Sequence, residues 1–157
     1  MKEASPPTDM NDTPTTSAPS SHDVWYAPGL CFSCTQCGNC CTGAPGVVWV
    51  SDEELRNIAE FLGESYGTVF HMHTRCVDGR RSLREYPNGD CIYFDGRTRR
   101  CKIYPVRPTQ CRTWPFWPSH LHSPQTWAEV QQTCPGAGRG TFHSVSEIQH
   151  WASLIDL

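Results

Sequence analysis

Four thiols fall within eight residues, in the run Cys34-Thr35-Gln36-Cys37-Gly38-Asn39-Cys40-Cys41. Thiolates are soft, anionic donors suited to zinc, iron or an iron–sulfur cluster. The two-residue spacer between Cys34 and Cys37 lets both sulfurs meet one ion. Gly38 stands where a tight turn needs positive φ and where backbone N–H groups must approach a charged sulfur. Four more cysteines follow at Cys91, Cys101, Cys111 and Cys134. The competing chemistry is a disulfide framework, which ten cysteines in a short secreted chain would fit. Two features oppose it. The N-terminal residues read as lacking the apolar stretch of a signal peptide. Cys40 and Cys41 are neighbours, an awkward arrangement for ordinary pairing.

Other polar side chains give weaker signals. His71 and His73, one residue apart, can share a metal if their segment is an extended strand, since their side chains then lie on one face; a solvated loop is the plainer expectation. Cys31 and Cys76 stay outside the core donor set. His120, His122 and His143, with Glu85 and Asp90, show no spacing that fixes a catalytic role. Arg107 and Arg112 are placed to donate to backbone carbonyls or to metal-bound sulfur. Trp114, Phe116 and Trp117 are expected to bury the site and exclude water.

The elements that must hold these groups are short. The chain has 157 residues, with 13 prolines and 12 glycines. Residues 1–23 are rich in Ser, Thr, Pro and Asp and cannot bury enough surface to offset backbone entropy, so they read as a disordered tail. Residues 24–157 then form one domain whose metal crosslinks replace part of a modest core. Ser51 and Glu54 form a capping box, and Leu55, Ile58, Ala59 and Leu62 mark the apolar face of a helix that Gly63 stops. A shorter helix follows from Ser65 to Phe70. Val47–Val50 reads as a buried strand. Strands at 82–86, 91–94 and 101–104 suggest a small meander that brings Cys91 near Cys101. Pro105, Pro108, Pro115 and Pro118 forbid a long element after it. Ser123-Pro124 starts a helix that Cys134-Pro135-Gly136 ends, and Ser144 with Glu147 caps a last one bearing Ile148, Trp151, Ala152 and Ile155. The expected fold class is a small, irregular, loop-rich α+β domain stabilised by metal.

The net charge of −3 gives no general pull toward nucleic acid. Between Arg75 and Arg112, however, lie ten of the 13 Lys and Arg residues against four acids. A basic nucleic-acid patch is one reading. Compensation of an anionic thiolate centre is the preferred one, because several of these cations adjoin a cysteine. No stretch is long and apolar enough to span a membrane, and a reducing cytoplasm is the expected compartment.

The combined pattern Cys34-x2-Cys37-Gly38-x-Cys40-Cys41, Cys91, Cys101-x2-Tyr104-x2-Arg107-Pro108-x2-Cys111-Arg112-x-Trp114-Pro115-Phe116 and Cys134-Pro135-Gly136 resembles the CxxCxxCC family, also called YkgJ-like cysteine-cluster proteins. The resemblance runs from about Gly29 to Ile148. It implies a zinc- or iron-chelating domain and names Cys34, Cys37, Cys40, Cys41, Cys91, Cys101, Cys111 and Cys134 as the metal ligands. Zn2+ or iron, including a 4Fe–4S cluster, is the implied cofactor, in a structural or electron-transfer role that would bring a redox or protein partner. Some relatives resemble flagellin lysine N-methylases, which implies a metal- or cluster-dependent enzyme as the alternative. Eight thiols suggest two four-ligand centres. In an extended backbone Cys40 and Cys41 would face different centres or bridge one, whereas a helical turn would send both to the same place.

Overall fold

Ser51 starts the longest helix, α1 (Asp52–Leu62), and the capping box forms as the sequence requires. The Glu54 amide donates to the Ser51 hydroxyl at 3.2 Å, and the Ser51 amide donates to the Glu54 carboxylate at 2.8 Å. Gly63 closes α1 with a φ of 68°, a left-handed conformation that glycine adopts without a Cβ clash. Ser65 then caps α2 (Tyr66–Met72). The computed structural model describes residues 23–156, so the expected tail lies almost wholly outside the described residues.

His71 and Met72 belong to the last turn of α2, and His73 is its C-cap. The extended strand that would let the two histidines share an ion is therefore absent at this point. His73 Nδ1 instead meets the Tyr93 hydroxyl at 2.9 Å. Directly afterwards β2 (Thr74–Val77) and β3 (Arg80–Leu83) form a hairpin, with Thr74 opposite Leu83. Asp78 and Gly79 at its tip both have positive φ, 48° and 76°, the demand of a two-residue turn that matches strand twist.

The meander is shorter than expected. Cys91 makes a single bridge to Glu85, and its amide donates to the Cys41 carbonyl at 2.8 Å. That bond ties it to the cysteine loop in place of a regular ladder. Only β4 (Phe94–Asp95) and β5 (Arg100–Cys101) pair. Beyond them Pro105 sits in a 3-10 turn, Tyr104–Val106, which ends the strand. Residues 47–50 run extended, with Trp49 bridged to Ser82, and only Val50 is buried.

After the prolines come α3 (Thr109–Thr113), α4 (Pro118–Leu121) and α5 (Pro124–Thr133), the last with Ser123 at its cap and Pro124 in its first turn. A seven-residue strand, β6 (Ala137–His143), returns to pair antiparallel with β1 (Leu30–Phe32). α6 (Val145–Ser153) closes the described chain behind its Ser144–Glu147 capping box. The result is the expected α+β arrangement of short antiparallel sheets and helices.

Its apolar residues divide into two cores. One gathers Leu55, Ile58, Val69, Leu83, Tyr93 and Ile103 around α1, α2 and β3. The other gathers Phe116, Leu121, Trp127, Val130, Ala137 and Ile148 around α4, α5 and α6. No helix among the described residues is long and apolar enough to cross a membrane.

Candidate metal centre

All eight cysteines of the pattern line a single cavity of about 110 Å3. The cavity lies at the seam of the two cores. Cys91, Cys101, Tyr93 and Ile103 reach it from the first core, and Cys134, Phe32 and Trp114 from the second. All ten cysteines of the chain are free thiols.

Five pieces of chain deliver the donors. Cys34 and Cys37 sit in the loop after β1, where the Gln36 amide donates to Cys34 Sγ at 3.4 Å. Gly38 takes φ 76° there, and a Cβ would lie 2.5 Å from the Arg99 carbonyl oxygen, so glycine is the residue this approach admits. Cys40 and Cys41 lie in a 3-10 turn, Asn39–Cys41. This is the helical alternative: the two sulfurs lie 4.0 Å apart and face one cavity instead of two centres. A tetrahedral zinc with Zn–S bonds of ~2.3 Å sets its sulfurs about 3.8 Å apart, close to that spacing. Cys91 enters before β4, Cys101 on β5, Cys111 on α3 and Cys134 at the end of α5.

Backbone tethers close the ring. The Asn39 amide group donates to the Thr133 carbonyl at 2.8 Å, and the Ser33 amide to the Gly136 carbonyl at 3.4 Å. A Cβ on Gly136 would stand 2.0 Å from the Ser33 oxygen, so the turn after Cys134 must be bare to press against the segment before Cys34. Arg99 locks the hairpin of β4 and β5 to the same loop, donating to the Cys37 carbonyl at 3.2 Å and to Asn39 at 2.7 Å.

The thiols are electrostatically unequal. Interaction with the Cys101 and Cys40 sulfurs, then burial, drives the pKa of Cys41 strongly upward. The same interactions lower Cys40 and bring Cys101 down to about 7. Burial pushes Cys91 up to about 11 and holds Cys111 well above the usual thiol value. A hydrogen bond to Cys34, then burial, raises the Tyr104 phenol. Arg107 stabilises the anionic forms of Cys40 and Cys101. It donates to the Tyr104 carbonyl at 2.7 Å and lies 3.8 Å from the centre of the Tyr104 ring. Arg112 also lines the cavity and donates to Thr109 at 2.8 Å.

Of the three expected aromatic walls, Trp114 alone faces the cavity. Phe116 belongs to the second core, stacked on Trp127 and edge-on to Phe32. Trp117 donates its indole N–H to the Gln110 carbonyl. The walls that sequence reasoning missed are Phe32, Tyr93 and Tyr104. Tyr93 and Tyr104 follow Cys91 and Cys101 by two and three residues, which was the available signal. Cys31, paired opposite Phe142 on the ribbon, and the exposed Cys76 do not line the cavity. A broader groove of about 1060 Å3 between α1, α3 and the C-terminal residues has no cysteine in its lining.

The donor set fits a thiophilic metal: eight soft sulfurs around one enclosed space, with Arg107 and Arg112 at its wall to balance negative charge. Among the described residues no three His, Cys, Asp or Glu side chains converge at the spacing of one closed metal site. The sulfurs ring the cavity instead of meeting at a point.

This fold and this ring of thiols define a cysteine-rich, metal-chelating α+β domain. The chain belongs to the CxxCxxCC family, whose model, described as "Putative zinc- or iron-chelating domain", matches residues 33–135. It is 35% identical over 91 residues to an uncharacterized protein of Methanocaldococcus jannaschii, an alignment that covers 58% of this chain and 48% of the relative. The chain thus spans about half the length of that relative. No solved structure matches it.

Proposed function

We propose that Cys34, Cys37, Cys40, Cys41, Cys91, Cys101, Cys111 and Cys134 hold one shared polynuclear zinc or iron centre, within a domain of residues 24–157, and that this centre pins the two cores together. The observation that carries the reading is that donors from five separate segments line one cavity. One tetrahedral ion takes four thiolates. Eight around a single space suit at least two ions, or a cluster that brings its own sulfide. Because the sulfurs ring that space, ligation draws the surrounding loops inward. Burial of an anionic centre in this way needs nearby cations, which Arg107 and Arg112 supply. A reducing compartment keeps such thiols available.

The test is metal analysis of anaerobically purified protein. Two or more zinc ions per chain, or iron with sulfide and absorption near ~400 nm, support the reading. A single zinc per chain overturns the shared polynuclear centre, and no metal at all overturns the ligand set. Cys37→Ser and Cys111→Ser should each lower metal content, while Cys76→Ser leaves it unchanged.

A further inference from the structure

Cys134, 8% exposed, is the one buried residue among the eight. It sits in the second core with Phe116, Trp127 and Val130. Trp114 Nε1 lies 3.5 Å from Cys134 Sγ. An indole N–H only donates, so the sulfur is the acceptor of this bond and its direction is set by the indole.

The indole is held in that pose. Its ring meets Trp117 edge-on at 4.9 Å and His120 edge-on at 4.7 Å, and those two rings stack on each other at 5.0 Å. Trp117 is anchored through its own N–H to the Gln110 carbonyl at 3.0 Å, and His120 Nδ1 lies 2.9 Å from the Pro115 carbonyl. The braced cluster follows α3 directly, so the helix that delivers Cys111 also aims the donor at Cys134.

On the metal-binding reading above, we propose that Trp114 is a positioning residue of the centre: its N–H fixes Cys134 Sγ in the orientation of a ligand. Outer hydrogen bonds of this kind commonly change metal affinity by about 10–100-fold. A wall-filling role alone would need only the ring.

The experiment compares wild type, Trp114→Phe and Trp25→Phe. Zinc affinity is read by competition with a chromophoric chelator, and cobalt(II) protein by its thiolate-to-metal charge-transfer band. Trp114→Phe should bind zinc about tenfold or more weakly with a displaced band, and Trp25→Phe, which loses an N–H bonded to the Leu121 carbonyl and outside the brace, should match wild type within twofold. Equal affinity and band in Trp114→Phe, or an equal loss in Trp25→Phe, overturns the assignment. A measurement on the unaltered chain stands beside it in case Trp114→Phe does not fold. In 113Cd-loaded, 15N-tryptophan-labelled protein the Trp114 indole proton should show coupling to cadmium through the sulfur, and a sharp, uncoupled signal overturns the proposal. Wild type that takes up neither zinc nor cobalt sinks the metal reading and this inference with it, whereas normal uptake by wild type and Trp114→Phe alike sinks this inference alone.

Discussion

Two glycines show how little room the thiol ring leaves. A methyl group on Gly38 would strike the Arg99 carbonyl and the Phe94 ring, both at 2.5 Å, and would sit on a backbone with φ 76°. Gly38→Ala should therefore cost roughly 1–3 kcal/mol in a denaturation experiment and lower metal content with it, because it displaces the loop that carries Cys37 and Cys40. Glu54 is a second residue with more than one duty. Its carboxylate accepts from Ser51 at the start of α1 and, at 2.7 Å, from the Thr109 amide at the start of α3. Half-burial works against its ionisation, but these amide donors outweigh burial and hold its pKa below the usual carboxylate value. A depressed pKa in the folded state means that its stabilisation is present above the unfolded carboxylate range and is lost as pH falls through the lower, folded value. Glu54→Gln should accordingly weaken the fold near neutral pH, and the gap to wild type should narrow in urea titrations repeated toward pH 3.

Elements with local signals were legible in the chain. α1 and α6 announced themselves by capping boxes and by apolar residues three and four apart, α5 by Ser123 at its cap and Pro124 in its first turn, and each begins at the expected cap. Ile58, fully buried on the inner face of α1, makes this concrete: Ile58→Ala should cost about 2–5 kcal/mol in the same assay. The strands were less legible. β2 is not among the expected strands, although Asp78-Gly79 at the tip of its hairpin with β3 is a strong turn signal. The pairing of β1 with β6 joins residues more than a hundred positions apart, and no periodicity in a strand containing Gly138 and Gly140 reveals its partner. The same holds for the site. The family resemblance singled out the eight thiols that line the cavity, but that Cys40 and Cys41 share it depends on a 3-10 turn that a two-residue pattern does not encode. Phe116 was misplaced for a related reason: sequence proximity to Trp114 says nothing about which face each ring takes once Pro115 turns the chain.

At the scale of the molecule, two modest cores meet along a line occupied by sulfur instead of hydrocarbon. Each core alone is small, and small cores are marginal without added crosslinks. Removal of metal by a chelator should lower the melting temperature and broaden the transition, since the halves would lose the bonds that make them unfold together. Hydrogen exchange should report it regionally, with amides of β4, β5 and α3 losing protection before those of α1, whose apolar face is satisfied within its own core. A uniform, sharp transition at an unchanged temperature after complete demetallation would contradict the picture.

The uneven spread of donors along the chain also has a temporal side. Half of them, Cys34 to Cys41, leave the ribosome together, while Cys134 follows roughly 93 residues later, an interval of about 5–20 s at translation rates of ~5–20 residues per second. If the eight thiols are the ligands proposed above, an ion arriving in that interval would meet a quartet with no opposing wall, and what it binds there would have to be surrendered or rearranged once α5 brings the final sulfur into place.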